Sequence, residues 1–290
     1  MQRVPDWEAV VVGGGPAGLA AGLCLARSGC RVLLAEKGRL GGQARVLGRI
    51  ENYPGFPSGV AGDRLMALWV RQARGWGLRT RRAEVRGVRR AGKRFLLRLA
   101  RGPALAARAV VYCPGARFRD LGLPGESRLR GVFHAAFDAA PSWRRRTVAV
   151  AGGGEAAAHQ ALALARHARR VYLICRGEAL KAHRLLLRRL SLSARIVPVM
   201  GARVAALRGR GRLEAVDLVG RGGRRRLDVD GLAVLVGKGP AALPFAPGRL
   251  PPGFFVAGDA AGQAHRQVAI AAGSGHEAAM RCVEYLEGRA

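Results

Sequence analysis

Two glycine-rich turns supply the residues of this chain that could bind phosphate groups. The first has the sequence Gly-Gly-Gly-Pro-Ala-Gly from Gly13 to Gly18, and the second has Gly-Gly-Gly-Glu-Ala-Ala from Gly152 to Ala157. In the first turn Gly13 makes a tight bend, Gly15 lets the backbone approach a pyrophosphate, and Gly18 lets the helix pack closely on the strand. Gly152 and Gly154 stand at the positions that correspond to Gly13 and Gly15. The two turns therefore predict two dinucleotide sites.

The residue that follows the next strand differs between the two motifs. Glu36 follows the first turn at the distance where a carboxylate can accept hydrogen bonds from ribose hydroxyls. The second motif has Cys175 and Arg176 there, with Lys181 further on. Cations suit a 2′-phosphate, so the second site favours NADPH over NADH unless Arg176 is simply one more surface arginine.

The segments around each turn have the pattern of strand, turn, helix and strand. The expected strands cover 9–12, 31–35, 148–151 and 171–174, and the expected helices extend to Ser28 and over 158–166. A helix that begins at the turn provides free N–H groups and a positive dipole end for the phosphates. We predict an α/β fold with two Rossmann-like dinucleotide-binding domains.

Two dinucleotide sites, one with an acidic and one with a basic residue, indicate a flavoprotein reductase with FAD in the first site and a nicotinamide cofactor in the second. The expected FAD contacts are Gly13, Gly15, Pro16, Ala17, Gly18 and Glu36. The expected NADPH (or NADH) contacts are Gly152, Gly154, Glu155, Ala156, Arg176 and Lys181.

Composition excludes several other classes of protein. The 290 residues are 49% hydrophobic, which excludes overall disorder, and carry 50 Lys+Arg against 19 Asp+Glu, a net charge of +31. No uncharged apolar stretch approaches the ~18 residues that cross a bilayer, and no apolar signal region is present, so we expect a cytoplasmic protein. The basic residues are scattered without a nucleic-acid motif. The charge instead suits anionic cofactors and an acidic redox partner.

Five cysteines are present, and none of them forms a C-x-x-C pair or a cluster with metal-ligand spacing. They are Cys24, Cys30, Cys113, Cys175 and Cys282. We therefore expect neither a disulfide framework nor a metal site, and the odd, scattered count fits a reducing compartment.

Further segments carry a family resemblance over essentially the whole chain. They are Gly41-Gly42-Gln43, residues 50–57, Val110–Glu126, Phe254–Asp259, Arg266-Gln267 and residues 272–275. On these segments the chain resembles the low-molecular-weight thioredoxin reductase family. The resemblance implies a homodimer whose FAD domain (1–115 and 246–290) is split by an inserted NAD(P) domain (116–245). It also implies cofactor contacts at Gly42, Gln43, Asn52, Gly237, Asp259, Arg266 and Gln267.

The C-terminal segment has a role of its own in this resemblance. Asp259 would bind the ribityl or pyrophosphate region of FAD. A helix beginning near Gln267 would direct its positive end at the pyrimidine edge of the flavin, where it stabilises the negative charge formed on reduction.

The chain departs from the family where its redox-active C-x-x-C is expected. Counting back from Val148 without a gap, the two cysteine positions fall on Ala135 and Asp138. In lacking the dithiol the chain is similar to the thioredoxin-reductase-like ferredoxin/flavodoxin–NADP reductases. His134 and Asp138 are the titratable residues left there, as candidate catalytic proton donors or as solvated polar residues at a domain interface.

We therefore predict an FAD-dependent oxidoreductase that passes electrons from NAD(P)H through the flavin directly to an external acceptor. An acidic redox protein of the ferredoxin or flavodoxin type, or a small molecule, would be that acceptor. Two alternatives stay open: a reductase of a small disulfide, and a catalytically reduced FAD-binding sensor or accessory protein.

Overall fold

The computed structural model describes residues 6–135, 140–246 and 250–289. The chain divides into two compact units, Met1–Ala116 with Pro240–Ala290, and Arg117–Gly239. The first unit is thus built from two separate stretches of chain, and the second is inserted between them.

The unit boundary differs slightly from the predicted one, which assigned residues 116–245 to the inserted domain. The Ala241 N–H donates a hydrogen bond to the Gly115 carbonyl oxygen at 3.0 Å. The ring of Phe245 packs against Phe95 and Phe254, with ring centroids 6.4 and 4.8 Å apart. These contacts place residues 240–245 in the first unit, because they tie the returning chain to its sheet.

Seven strands form one sheet in the first unit, and two shorter strands form a separate antiparallel ribbon. The sheet strands are β1 (Asp6–Val12), β2 (Val32–Glu36), β5 (Arg79–Arg82), β6 (Val85–Ala91), β7 (Arg94–Leu99), β8 (Leu105–Tyr112) and β19 (Phe254–Val256), and the ribbon strands are β3 (Arg49–Ile50) and β4 (Val60–Ala61). The sheet order is β5-β2-β1-β8-β7-β6, with β19 also paired to β8. Strands β6 and β7 are antiparallel additions to an otherwise parallel sheet.

Three helices belong to the first unit: α1 (Pro16–Arg27), α2 (Gly62–Gly75) and α5 (Val268–Leu286). They pack with one face of the sheet around a buried core that includes Leu25, Leu34 and Met66. On the other face, apolar residues of β1, β2 and β8 pack with Phe95 and Leu97 of β7, a strand of the same sheet. Coverage of both faces explains the continuous apolar runs in β1 and β8.

The second unit combines a parallel sheet with a smaller antiparallel one. The parallel strands, in the order β10-β17-β11-β12-β13, are β10 (Val132–Phe133), β17 (Gly231–Val234), β11 (Thr147–Ala151), β12 (Arg170–Ile174) and β13 (Ile196–Val199). Helices α3 (Glu155–Ala165) and α4 (Arg184–Ser191) pack with this sheet. The antiparallel strands are β14 (Ala202–Arg208), β15 (Ala215–Gly220) and β16 (Gly223–Asp228).

The remaining elements are short. Strands β9 (Ala116–Phe118) and β18 (Lys238–Pro240) pair with each other in the two segments that join the units. Single 3-10 turns cover Gly42–Val46, Ala140–Trp143 and Gly258–Ala261. Over the described residues, no helix is long and apolar enough to cross a membrane.

The structure confirms the predicted α/β class, with small shifts in the element bounds. Helix α3 begins at Glu155, three residues before the predicted start at Ala158, because Gly154 already serves as its N-cap. The antiparallel strands β6, β7 and β14–β16 were not predicted from the sequence. In β7 the exposed arginines and the buried apolar residues lie on opposite faces. Strand β16 instead contains three consecutive exposed arginines.

Candidate functional site

The first glycine turn connects β1 to α1 and leaves one position open. A Cβ at Gly13, where φ is +100°, would overlap the carbonyl oxygen of Cys113, and a Cβ at Gly18 would overlap that of Gly13. A Cβ at Gly15 would instead meet nothing nearer than the Cα of Gly42, at 4.0 Å. The turn is therefore closed on its packing side and open at Gly15, where a pyrophosphate could approach the backbone.

Helix α1 begins directly after this opening. Gly15 precedes it without a side chain that could cap it, Pro16 is its first residue, and its first turn contains no acidic residue. Such a helix end presents N–H groups and a positive dipole end that suit a phosphate. Pro16 fits the first helical position because an N–H there has no partner within the helix.

Glu36 ends β2 beside the same turn. Its Oε2 accepts a hydrogen bond from the Gly14 N–H at 2.6 Å, and its Oε1 accepts one from the Gly38 N–H at 2.7 Å. The half-buried side chain therefore holds the turn in place. Each carboxylate oxygen can accept a further hydrogen bond, so contact with a ribose stays a prediction that this geometry permits.

Gly42 and Gln43 lie on the open side of the turn. A Cβ at Gly42 would lie 2.9 Å from the Cα of Gly15, so the two glycine backbones are in close contact. Gln43 donates a hydrogen bond from Nε2 to the Ala116 carbonyl oxygen at 2.6 Å. The segment that the family resemblance assigned to the flavin thus borders the opening at Gly15.

Gly258, the residue before Asp259, packs against the first turn of α1. A Cβ at Gly258 would lie 2.8 Å from the Cβ of Ala17, and the Gly258 N–H donates to Ser274 Oγ at 3.0 Å. A Cβ at Gly275 would overlap the Ala17 carbonyl oxygen. The C-terminal segment and the first turn therefore meet at Ala17, with Asp259 next to that contact.

Asn52 and Gln267 meet although they are 215 positions apart. Asn52 Nδ2 donates a hydrogen bond to Gln267 Oε1 at 3.0 Å. Gln267 precedes α5, does not cap it with its side chain, and is followed by a first turn without acidic residues. Arg266 lies exposed beside it. The positive end of α5 thus begins where the sequence predicts it, next to Asn52.

The second glycine turn, in the other unit, connects β11 to α3. A Cβ at Gly152 would overlap the Leu235 carbonyl oxygen and lie 3.0 Å from the Cβ of Ala157, whereas one at Gly154 would meet nothing within 4 Å. Like the first turn, this turn has no space for a side chain at Gly152 and open space at Gly154. Glu155 places a carboxylate in the first turn of α3, unlike α1.

A backbone hydrogen bond joins Lys181 to this turn. Its N–H donates to the Gly153 carbonyl oxygen at 2.6 Å, and it forms a β-bridge with Gly154. The side chains of Lys181, Arg176 and Ala156 are exposed. Two cations are therefore available close to the turn, and their contact with a 2′-phosphate stays a prediction.

Gly237 lies two residues after Leu235, whose carbonyl oxygen faces Gly152. Gly237 adopts φ +120°. Its own carbonyl oxygen accepts a hydrogen bond from the Arg119 N–H at 3.0 Å.

Two features of the second unit were not predicted from the sequence. A Cβ at Gly153 would overlap Cys175 Sγ, so this thiol packs directly against the turn. Glu178 forms an ion pair with Arg221 at 3.2 Å. The position of Cys175 at the end of a predicted strand could have indicated the first, whereas nothing in the spacing links Glu178 to Arg221.

His134 lies in a small polar and aromatic cluster of the second unit. Its Nε2 is 3.2 Å from Asp120 Oδ1, and its ring stacks on Phe118 with centroids 5.0 Å apart. Lys238 Nζ lies over the Phe118 ring, 4.4 Å from its centroid. Neither Asp120 nor Phe118 was predicted from the sequence as a partner of His134. Asp138, the other titratable candidate, lies outside the described residues.

Comparison with known proteins identifies the family of this fold. Residues 7–251 match the family described as pyridine nucleotide-disulphide oxidoreductase. The chain belongs to this family. It is also 31% identical over 306 residues to a thioredoxin reductase of Treponema pallidum, an alignment that covers 97% of this chain and 98% of the relative.

Solved structures agree with this membership of the pyridine nucleotide-disulphide oxidoreductases. The thioredoxin reductase of Lactococcus lactis matches with a TM-score of 0.92 and 26% identity, covering 97% of this chain and 99% of that one. A bacillithiol disulfide reductase of Bacillus cereus matches with a TM-score of 0.80 and 18% identity, covering 99% and 100%. At that identity the second match shows the fold alone.

Membership makes the protein a flavoprotein oxidoreductase of a family that uses FAD and NADPH. The residues present fit two such dinucleotides. Both turns are closed by packing at their first glycine and open at Gly15 or Gly154, and each open glycine is followed by a helix without a side-chain cap. The recognised resemblance to thioredoxin reductases is thus confirmed by the comparisons.

The cysteines of this oxidoreductase are all unpaired thiols, and those in the first unit are not activated. Burial raises the pKa of the Cys113 thiol to about 12. Burial, with a smaller contribution from Cys30 and Cys24, raises the pKa of Cys282 to about 12. Because the thiolate is the nucleophile, these two groups are inert near neutral pH. The described residues contain no cluster of three metal-ligating side chains.

Proposed function

We propose that the protein oxidises NAD(P)H and passes the electrons to an external acceptor without an internal dithiol. Segment 131–138 carries the proposal, because Ala135 and Asp138 stand where the family resemblance places the two cysteines. None of the five cysteines lies three positions from another. The high pKa of Cys113 and Cys282 further supports a protein without a reactive thiol pair.

In the first unit the chain would bind FAD, which supplies the redox chemistry by accepting a hydride and releasing electrons. Gly15 and the amino end of α1 would hold the pyrophosphate, and Glu36 would accept from the ribose. Asp259 would bind beside α1. The amino end of α5, next to Asn52, would stabilise negative charge at the pyrimidine edge.

In the second unit the chain would bind the nicotinamide nucleotide. Gly154 and the amino end of α3 would receive its pyrophosphate, and Arg176 and Lys181 would bind a 2′-phosphate. Glu155 lies in the first turn of α3, where its negative charge weakens the attraction for phosphate. This unit is therefore expected to bind its nucleotide more weakly than the first unit binds FAD.

His134 is the proposed proton donor for reduction of the acceptor. Its imidazole lies one residue from the first missing cysteine position, and Asp120 at 3.2 Å would hold the ring in place. A His134→Gln variant should lower kcat with the acceptor while leaving flavin content unchanged. An unaltered kcat would assign His134 to a structural role.

The acceptor is proposed to be an acidic redox protein or a small molecule. The net charge of +31 would steer an acidic partner electrostatically, an effect that falls as salt is added. The alternative, a small-disulfide reductase, is supported by the fold shared with the bacillithiol disulfide reductase. In that case electrons would pass from the flavin to the disulfide without a protein thiol.

Anaerobic mixing with NADPH, followed by addition of acceptors, tests the proposed function. We expect NADPH to bleach the flavin, and a quinone, a ferredoxin or a flavodoxin to restore its colour. A protein that stays oxidised with both NADPH and NADH would be a sensor or accessory protein instead. Sustained turnover with thioredoxin would contradict the proposal, and turnover with only a small disulfide would select the alternative.

A further inference from the structure

Nine arginines gather at one edge of the parallel sheet in the second unit. Residues that precede parallel strands share one edge, and the glycine turn after β11 lies at the opposite edge. Six of the nine precede β11, β12 and β13, one is the first residue of β12, and two lie near the end of α4. We call this group the basic pole: Arg144, Arg145, Arg146, Arg166, Arg169, Arg170, Arg188, Arg189 and Arg195.

Hydrogen bonds to backbone carbonyl oxygens hold the segments of the basic pole together. The Arg145 N–H donates to the His167 carbonyl oxygen at 3.2 Å, and the Arg169 N–H donates to that of Arg146 at 2.8 Å. Arg195 Nη1 donates to the Ala165 carbonyl oxygen at 3.1 Å, which ties the start of β13 to the end of α3.

All nine side chains of the basic pole are exposed. The stretches 140–146, 165–171 and 184–196 contain no aspartate or glutamate. Asp230 pairs with Arg146 at 3.0 Å from a neighbouring strand. The basic pole is therefore strongly positive, and it lies away from the proposed nucleotide site of the same unit.

Helix α4 adds exposed apolar side chains to this charge. Leu185 is 53% exposed and Leu192, its C-cap residue, is 77% exposed. Seven positions bring a helix back to the same face, so these two leucines form one line along α4, with Arg188 and Arg189 on either side of it. Leu186 and Leu190 are buried on the opposite face.

We propose that the basic pole and the leucine line of α4 bind an anionic lipid surface. Exposed leucines between arginines match the two parts of a membrane interface, because the leucines enter the acyl boundary while the arginines meet the phosphates. An acidic protein or a nucleic acid would satisfy the charge but gain little from leucines at these positions. The proposal is independent of the electron acceptor.

Flotation of the FAD-loaded protein with lipid vesicles tests the proposal. We expect binding to phosphatidylcholine vesicles with about 30% phosphatidylglycerol at about 0.15 M salt, and none to pure phosphatidylcholine. Leu185→Gln with Leu192→Gln should weaken this binding about 10-fold, because two apolar insertions are lost. Trp76→Gln with Met280→Gln removes two similarly exposed apolar side chains elsewhere and should change nothing.

A charge-matched pair of variants separates the basic pole from net charge. Arg188→Gln with Arg189→Gln should weaken vesicle binding about 10-fold or more. Arg224→Gln with Arg225→Gln removes the same charge from exposed positions on β16 and should have a much smaller effect. Equal effects of the two pairs, unchanged binding of the leucine variant, or no binding of the parent protein would each overturn the proposal. Tighter binding to a DNA duplex, sensitive to the arginines and not to the leucines, would also overturn it.

Discussion

Both glycine turns are held by a backbone hydrogen bond, but only the first is also held by a carboxylate. The Gly41 N–H donates to the Gly14 carbonyl oxygen at 2.7 Å, and the Lys181 N–H donates to that of Gly153 at 2.6 Å. Glu36 adds two bonds to the first turn by accepting from Gly14 and Gly38, whereas the second turn has the uncharged Cys175 thiol packed against Gly153. The first turn is also more enclosed, since Ala17 is buried while its counterpart Ala156 is exposed.

The difference explains how the same motif can bind one dinucleotide that is retained and another that leaves after each cycle. A carboxylate network and a helix start without acidic residues favour a tightly held dinucleotide. An exposed turn with Glu155 at the helix start favours a ligand that leaves after each cycle. We therefore expect FAD to remain bound through purification and the nicotinamide nucleotide to dissociate.

Closing the packing side of the first turn should have the largest effect. A Gly18→Ala variant places a methyl group on the Gly13 carbonyl oxygen, so we expect about 3 kcal/mol of lost stability and little bound FAD. Thermal unfolding and flavin absorbance measure the two effects. The control is Gly15→Ala, where the Cβ has space, so FAD binding should weaken while the apoprotein keeps its stability. A Gly18→Ala protein with normal flavin content would contradict the comparison.

Filling the open position of the second turn should have the next largest effect. Gly154→Ala adds a methyl group that touches no protein atom within 4 Å, so we expect normal stability and flavin content. NADPH binding should weaken about 10- to 100-fold, because the backbone can no longer approach the pyrophosphate closely. Titration of the oxidised protein with NADP⁺, which has the same pyrophosphate as NADPH, measures this loss of affinity. Loss of FAD in this variant would show that the two sites are not separate.

Removing a cation beside the second turn should change nucleotide preference. Arg176→Gln should weaken NADPH binding about 10-fold, because one charge-assisted contact to the 2′-phosphate is lost. NADH binding should stay within about 2-fold, since NADH lacks that phosphate. Equal losses for both nucleotides would remove the assignment of Arg176. Arg170→Gln, an exposed arginine at the other end of β12, serves as the matched control.

Alkaline pH should reveal the buried thiol beside the first turn. Burial raises the pKa of Cys113 from an ordinary 9.0 to about 12, so the unfolded chain loses this proton first. Its contribution to stability is complete below about pH 9 and is lost as pH rises toward 12. Cys113→Ala should therefore reduce the fall in unfolding free energy by about 1 kcal/mol one pH unit above the ordinary value. An identical pH slope in parent and variant would contradict this account.

Both glycine turns could be predicted from the sequence, because each turn is a local constraint of a few residues. The acidic and basic residues after β2 and β12 followed from the same motif. The contacts of Asn52 with Gln267 and of Gly258 with Ala17 were not predicted, since they join distant segments; the family resemblance gave Asn52 and Gln267 only as cofactor contacts. The partners of His134 could not be predicted, because Phe118 and Asp120 meet it through tertiary packing.

The antiparallel strands escaped prediction for a different reason. In β7 the arginines lie on one exposed face, and in β6 they follow no strict alternation, so that both runs resemble scattered surface charge. Pairing of Val88 with Leu97 and of Arg90 with Phe95 becomes visible only in the sheet. Period-two patterns made of arginine and single apolar residues are weak in a chain this rich in arginine.

The number of electrons that the protein stores tests the central claim most directly. In an anaerobic titration with dithionite, a flavin alone takes up one two-electron equivalent, and a flavin with a redox-active dithiol takes up two. We predict one equivalent per flavin, with the five thiols unchanged in number before and after. Two equivalents per flavin, with two thiols gained on reduction, would contradict transfer without an internal dithiol.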